Sequence, residues 1–191
     1  ILDINLPDGT GFNLCQEMSQ TGAIILILSS MKDPHSILKG FEKGADDYFV
    51  KPFNLAILKA KIEALLKRYN KQEIEQNKPN QKLVFGSLSI DPNTREVKVQ
   101  DTIVNLTPLE FKLLYFLATH PFVIWDRSEL VAQVWEREEQ VEEERKVDIH
   151  IGHIRKKIGD QEGKLIKTIW GKGYKFEPSH SDELKLAELS P

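Results

Sequence analysis

Several common features are missing from this sequence, and each absence removes a class of protein. There is one cysteine, Cys15, so no internal disulfide can form; this excludes a disulfide scaffold and favours a reducing, cytoplasmic setting. Cys15 itself reads as a small buried residue. The longest apolar run, Ala23–Leu28, is far shorter than the roughly 20 residues a spanning helix needs, so no membrane segment is expected. No basic stretch followed by an apolar core opens the chain, so a secretory leader is not expected either. No internal repeat is visible, which sets aside solenoids and propellers. Net positive charge is also lacking: 26 Lys and Arg face 29 Asp and Glu, for a net charge of −3. On average, that argues against a nucleic-acid binder.

The average hides a segregation of charge. Between Arg145 and Lys175 there are nine basic residues against three acidic ones, a local excess of six. Just before this segment, Glu136–Glu144 carries six Glu against Arg137. Surface fields fall off within about 8–10 Å at cellular salt, so a local basic patch acts on its own.

With 191 residues, one or two domains are expected, and the sequence falls into two patterns. Residues 1–70 alternate short apolar strands with amphipathic helices. Strands are expected at Ile1–Ile4, Ala23–Leu28 and Tyr48–Val50, and helices at Phe12–Met18, Pro34–Lys43 and from Asn54 to about Tyr69. That rhythm implies an α/β unit with a parallel sheet. Residues 71–81 are polar, contain a proline and read as a linker. Residues 82–178 begin with alternating strands that turn at Asp91-Pro92-Asn93. Capping boxes at Thr107–Glu110 and Asp126–Glu129 open two helices, Lys146–Ile158 is a third, and Lys167–Phe176 is a terminal hairpin. This is an α+β order of elements, and residues 179–191 are expected to be a disordered tail. Trp125 and Trp135 are expected in or near the core.

Strand C-termini in a parallel sheet line one crevice. Asp3, Ser29 and Lys51 fall at such ends, and a carboxylate, a hydroxyl and an ammonium suit phosphoryl chemistry. From spacing alone, each could equally be an ordinary strand-end polar group. On the third helix, Lys146, His150, His153 and Lys157 share a face at i, i+4 and i+7, and Ile151, Ile154 and Ile158 point to a core. Such a basic face can enter the major groove; it can also be a solvated surface. His150 and His153 suggest a metal pair, but no Cys or third His is placed to complete a site, so none is expected.

Taken together, L-D-I-N-L-P-D-G (Leu2–Gly9), I-L-I-L-S-S (Ile25–Ser30) and G-A-D-D-Y-F-V-K-P-F (Gly44–Phe53) resemble the response-regulator receiver domain, a flavodoxin-like fold. The resemblance implies that Asp3 is the phosphoacceptor, Ser29 the switch hydroxyl, Tyr48 the switch aromatic and Lys51 the phosphoryl-contacting lysine, with a cis Lys51–Pro52 bond. Asn5 would offer a backbone carbonyl to Mg²⁺ beside Asp3. The family's first strand and its acidic pair have no counterpart here. The chain as written is therefore expected to lack the receiver's front and to bind Mg²⁺ and accept phosphate poorly, unlike the intact form.

L-T-P-L-E-F-K-L-L (Leu106–Leu114), R-K-V-D-I-H-I-G-H-I-R-K-K-I (Arg145–Ile158) and K-T-I-W-G-K-G-Y-K-F (Lys167–Phe176) resemble the winged helix-turn-helix effector domain of the OmpR/PhoB subfamily. That implies phosphate contacts from Arg145, His150, Arg155 and Thr168 and base contacts from Lys146 and His153, with Lys157, Trp170 and Lys172 in the same interface. Gly152, His153 and Trp170 stand where relatives often carry Arg. The implied partners are double-stranded DNA at tandem repeat sites, a sensor histidine kinase, RNA polymerase through the acidic Glu136–Glu144 loop, and a second copy on activation. The dimer face would set Asp46 and Asp47 opposite Lys61, Lys67 and Arg68, with Ile57 where relatives usually have Glu. No catalytic triad or P-loop appears in the second module, so an enzyme is not expected. The alternative reading is a phosphorylation-independent DNA-binding or protein-interaction regulator.

Overall fold

In the computed structural model the described residues are 1–6, 9–60, 62, 63, 66, 82–135 and 144–179. The expected linker, the acidic loop up to residue 143 and the tail from residue 180 lie outside them. The chain divides into two compact units, Ile1–Gln81 and Lys82–Pro191.

The first unit is built on a three-stranded parallel sheet in the order β1 (Leu2–Asp3), β4 (Leu26–Ser29), β5 (Asp47–Val50). Asp3 lies opposite Leu28, and Ser29 opposite Val50, so the strand ends that carry polar side chains are aligned. A two-residue ladder, β2 (Asn5–Leu6) with β3 (Gly9–Thr10), follows β1 and is not foreseen from the sequence. Helices α1 (Gly11–Met18) and α2 (Pro34–Glu42) come next in the expected alternation. Asp33 caps α2 by accepting a hydrogen bond from the Ser36 N–H at 2.8 Å, and Gly44 (φ 95°) lies just beyond its end.

The central run is apolar on both sides because both faces of β4 are covered. On one face, α2 lies so close to Ile27 and Tyr48 that a Cβ at Gly40 would stand 2.8 Å from the Tyr48 ring. On the other, Leu26 and Phe49 pack with Leu58 from the helical residues 55–60. Gly11 has a specific task at the start of α1. Its N–H donates to the Ile4 carbonyl at 2.9 Å, and a Cβ there would fall 2.2 Å from the Asp3 carbonyl oxygen. Only glycine lets the loop return directly over the phosphoacceptor candidate.

The second unit opens with a four-stranded antiparallel sheet, β6 (Leu83–Phe85), β7 (Leu88–Asp91), β8 (Glu96–Val99) and β9 (Thr102–Val104). Helix α3 (Pro108–Thr119) follows, then β10 (Ile124–Asp126), α4 (Arg127–Leu130) running into a π-helical turn (Val131–Trp135), and α5 (Glu144–Ile158). β11 (Ile166–Ile169) and β12 (Gly173–Phe176) form the terminal hairpin, and β10 adds to it in the order β10-β12-β11. Both capping boxes form: Thr107 with Glu110, and Asp126 with Glu129. The core joins Leu113, Leu114 and Leu117 of α3, Val134, and Val147, Ile151 and Ile154 of α5 to Ile90, Ile166 and Phe176 of the sheets. Among the described residues no helix is long and apolar enough to cross a membrane.

Candidate functional site

Two polar constellations stand out, one in each unit. In the first, Asp3 leaves the end of β1 and pairs with the Lys51 ammonium at the end of β5. The other Asp3 oxygen accepts the Asn5 N–H at 3.0 Å. The Lys51 hydrogen bond, helped by that N–H, holds the Asp3 carboxyl below its ordinary range. Lys51 is fixed from behind, since its N–H donates to the Ser29 carbonyl at 2.7 Å; the Lys51–Pro52 bond is cis, as the resemblance implied.

Ser29 is buried, and its hydroxyl accepts the Met31 N–H at 3.1 Å. Tyr48 is turned inward, donating its hydroxyl to the Met31 carbonyl at 3.0 Å. The structure thus joins Asp3 and Lys51 directly and ties Ser29 and Tyr48 to the loop beside them. It does not make a complete magnesium site from the described residues. Asp3 is not part of any cluster of three metal-ligating side chains there, and both of its oxygens are engaged.

The expected dimer face needs correction. Asp46 and Asp47 are buried, not presented outward. The Asp46 carboxylate accepts the Ile25 N–H at 2.7 Å, and that of Asp47 accepts the Tyr48 N–H at 2.9 Å, so both pin strand ends. Ile57 is exposed, while Lys61, Lys67 and Arg68 lie outside the described residues.

In the second unit α5 also turns differently from the expected orientation. At about 100° per residue, the core stripe Val147, Ile151, Ile154 and Ile158 spans about 60° of the helix. His150, Lys157, Lys146 and His153 follow at about 70–130° to one side of its centre. That flank is covered: Lys146 and His150 are buried, and the His150 ring lies 5.5 Å from that of Trp135. Burial, with His153, Lys146 and Lys157 nearby, pushes the His150 pKa down to about 3. Lys157 donates to Glu110 Oε2 at 2.8 Å, and His153 Nδ1 stands 3.7 Å from Glu110 Oε1. His150 therefore cannot contact phosphate, Lys146 is not an open base reader, and His153 is turned toward Glu110.

The outward face is a different stripe. Arg145, Gly152 and Lys156 are exposed and Ile149 is half-exposed, at about 130–170° from the core centre. Following charge along the sequence passes over Lys156, Ile149 and Gly152; the direction opposite the core isoleucines finds them.

Arg155 reaches the wing. Its guanidinium donates to the Ile166 carbonyl and, at 2.9 Å, to the Thr168 hydroxyl. Asp160 fixes the turn between α5 and β11 by accepting the N–H groups of Lys164, Leu165 and Ile166 at 2.7, 3.0 and 2.8 Å. At the tip, Trp170 is 91% exposed beside Lys172, which is also exposed. Arg145, Lys156, Trp170 and Lys172 form the accessible basic and aromatic set.

Comparison with known proteins agrees with both halves. Residues 1–63 match the response regulator receiver domain, and residues 100–176 match the family described as transcriptional regulatory protein, C terminal. The chain is 37% identical over 183 residues to the transcriptional regulatory protein ResD of Bacillus subtilis, covering 93% of this chain and 76% of ResD. It is 36% identical over 191 residues to SrrA of Staphylococcus aureus, covering 96% and 78%. Among solved structures, a cysteine mutant of RitR superimposes with a TM-score of 0.70 at 25% identity, over 93% of this chain and 78% of that one. The Thermotoga maritima OmpR/PhoB homologue DrrB shares 36% identity over 92% of this chain and 77% of its own, with a TM-score of 0.46. These matches do not favour the alternative of a phosphorylation-independent DNA-binding or protein-interaction regulator. The chain belongs to the OmpR/PhoB-type response regulators of two-component signalling, transcription regulators that join a receiver domain to a C-terminal DNA-binding domain.

Proposed function

We propose that Asp3 is the phosphoacceptor, and that the second unit binds DNA through the outward stripe of α5 and the wing tip. The observation that carries the DNA reading is the joint exposure of Arg145, Lys156, Trp170 and Lys172 beside a recognition helix whose opposite stripe is core. Arg145 and Lys156 supply phosphate contacts, Ile149 and Gly152 lie closest to base edges, and the Trp170 indole packs on the sugar-phosphate backbone. Gly152 has no side chain to read with, so sequence preference differs from that of relatives with Arg at this position. Arg155 and Thr168 hold the wing at a fixed distance from the helix.

The Asp3 reading rests on its pairing with Lys51. The lysine keeps the carboxylate ionised and oriented as a nucleophile, then balances charge on the phosphoryl oxygens. Receiver domains generally work with Mg²⁺ at this position. The described residues offer one carboxylate toward such an ion, with Asn5 beside it. The corresponding partners are double-stranded DNA at tandem sites, a sensor histidine kinase, RNA polymerase and a second copy, in the cytoplasm.

DNA titration at several salt concentrations tests the interface. A steep negative salt slope is expected, with Arg145→Ala and Lys156→Ala each lowering it by about one unit. Equal slopes in wild type and both variants would remove α5 from the interface. With one carboxylate offered to Mg²⁺ by the described residues, a small phosphodonor should modify this chain poorly; in the intact form Asp3→Asn should abolish an alkali-labile adduct, and an unchanged adduct would place it on another residue.

A further inference from the structure

The flank of α5 that does not face outward contains two imidazoles and a carboxylate in one place. Glu110, His150 and His153 each bring a ligand atom within 4.8 Å of the others. Glu110 comes from the first turn of α3, so the sequence pair His150 and His153 gains its third ligand from another helix. His150 is 1% exposed, and neither of its ring nitrogens has a hydrogen-bond partner among the described residues. A buried imidazole with both nitrogens unpartnered carries a desolvation cost that a ligand would offset.

We propose that Glu110, His150 and His153 form a binding site for a divalent transition cation of the zinc type. The donor set, two imidazole nitrogens and one carboxylate oxygen, suits Zn²⁺ and leaves a fourth position for water. The carboxylate is divided to suit. Its Oε2 accepts the Thr107 N–H and the Lys157 ammonium, each at 2.8 Å, and its Oε1 faces His153 Nδ1 at 3.7 Å. Two donors on a tetrahedral zinc stand about 3.4 Å apart, so that edge is nearly in place. The partly exposed His153 can rotate to close the rest.

His150 is held neutral, the form that binds metal. The charges facing it are Lys146, Lys157 and His153, and the two lysines oppose a cation. The Glu110 carboxylate and the loss of His150's unpartnered state weigh against them. An ion there would clamp the start of α3 to α5, and the site stands whether or not α5 reads DNA.

The test is calorimetric titration of ZnCl₂ into the untagged, chelator-stripped full chain, with Co²⁺ as a spectroscopic probe. One Zn²⁺ per chain, a visible Co²⁺ band of tetrahedral type, and a melting temperature raised by Zn²⁺ are expected. His153→Gln should fold, because that side chain is partly exposed, and should weaken Zn²⁺ at least about tenfold. Glu110→Gln keeps the capping-box geometry and should weaken it similarly. Lys157→Gln removes one of the two opposing lysine charges and should tighten it. No binding by the wild-type chain, or equal binding in His153→Gln and Glu110→Gln, overturns the proposal.

Discussion

The two units each hold a carboxylate–lysine pair, and the pairs differ in one respect that changes what they do. Asp3 and Lys51 are 38% and 41% exposed, whereas Glu110 and Lys157 are 1% and 14% exposed. Water screens the first pair and can deliver a phosphodonor to it. The second is closed in by Thr107, His150 and His153, and its carboxylate is also the helix cap of α3. The open pair is placed for chemistry and the closed pair for architecture. An exposed ion pair contributes about 0–1 kcal/mol, while breaking a buried one leaves an uncompensated charge.

Removing one partner from each pair should show the largest contrast. Glu110→Ala strands Lys157 and removes the reciprocal cap, so a loss of about 3–5 kcal/mol is expected in the second unit. Lys51→Ala should cost the first unit less than about 1 kcal/mol. All three tryptophans lie in the second unit, so their fluorescence in a denaturant titration reports that unit alone, and amide exchange along β1 and β5 reports the other. Similar losses in both would mean that burial is not the difference between the pairs.

The next effect is acid sensitivity confined to the second unit. His150 stays neutral in the fold down to about 3, against 6.5 for the unperturbed group. Below about 6.5 the unfolded chain takes up a proton that the folded chain refuses, so stability falls as pH falls, by up to about 1.4 kcal/mol per unit. The groups facing His150 are His153, Lys146, Lys157 and, through His153, Glu110. Carboxylates such as Glu177, held down to about 2 by Lys167 and Lys175, join the loss only below the ordinary carboxylate range. The window from about pH 6.5 to about pH 5 therefore isolates the histidine. His150→Leu, compared in chelator, should flatten it; an unchanged slope would assign the acid response elsewhere.

How much of this was legible in the sequence follows the same division. Periodicity gave the strand–helix order of the first unit, and two capping boxes located α3 and α4 to the residue. Lys51 and Asp3 could be paired because strand C-termini meet at one edge whatever the loops do. Burial of polar side chains could not be read, since it depends on which element lies opposite. Asp46 and Asp47 look like a surface pair and are instead buried: Asp46 reaches across to the Ile25 N–H just before β4, and Asp47 accepts the Tyr48 N–H within β5. Lys146, His150 and Lys157 look like a DNA-facing stripe, yet Lys146 is buried, His150 lies beside Trp135 and Lys157 pairs with Glu110 at the start of α3. The β10–β12 pairing was hidden for a related reason. β10 is three residues long and its partner lies far along the chain.

A smaller effect separates the outward stripe of α5 from its covered flank. Gly152 is the one glycine within α5, and a Cβ there would meet nothing within 4 Å. Gly152→Ala should raise second-unit stability by about 0.5–1 kcal/mol, because alanine lowers the entropy cost of the helix without a clash. No gain in the fluorescence titration would mean that the local backbone is not the regular helix described.

The smallest expected change in stability, and the one that sharpens the DNA reading most, is at the wing. Trp170 is 91% exposed, so its indole buries almost nothing in the folded chain. Trp170→Ala should shift the denaturation midpoint within about ±0.5 kcal/mol. An exposed tryptophan is kept from solvent only when a partner covers it, and the wing tip also carries Lys172. If that partner is the sugar-phosphate backbone, Trp170→Ala should weaken binding to specific and non-specific DNA by similar factors. Trp170→Arg should restore affinity preferentially on A·T-rich flanks, whose narrow minor groove attracts guanidinium. Competition titrations with A·T-rich and G·C-rich flanks around one core site measure both. Unchanged affinity in both variants would take the wing tip out of the interface and leave Arg145 and Lys156 on α5 as the contacts to test.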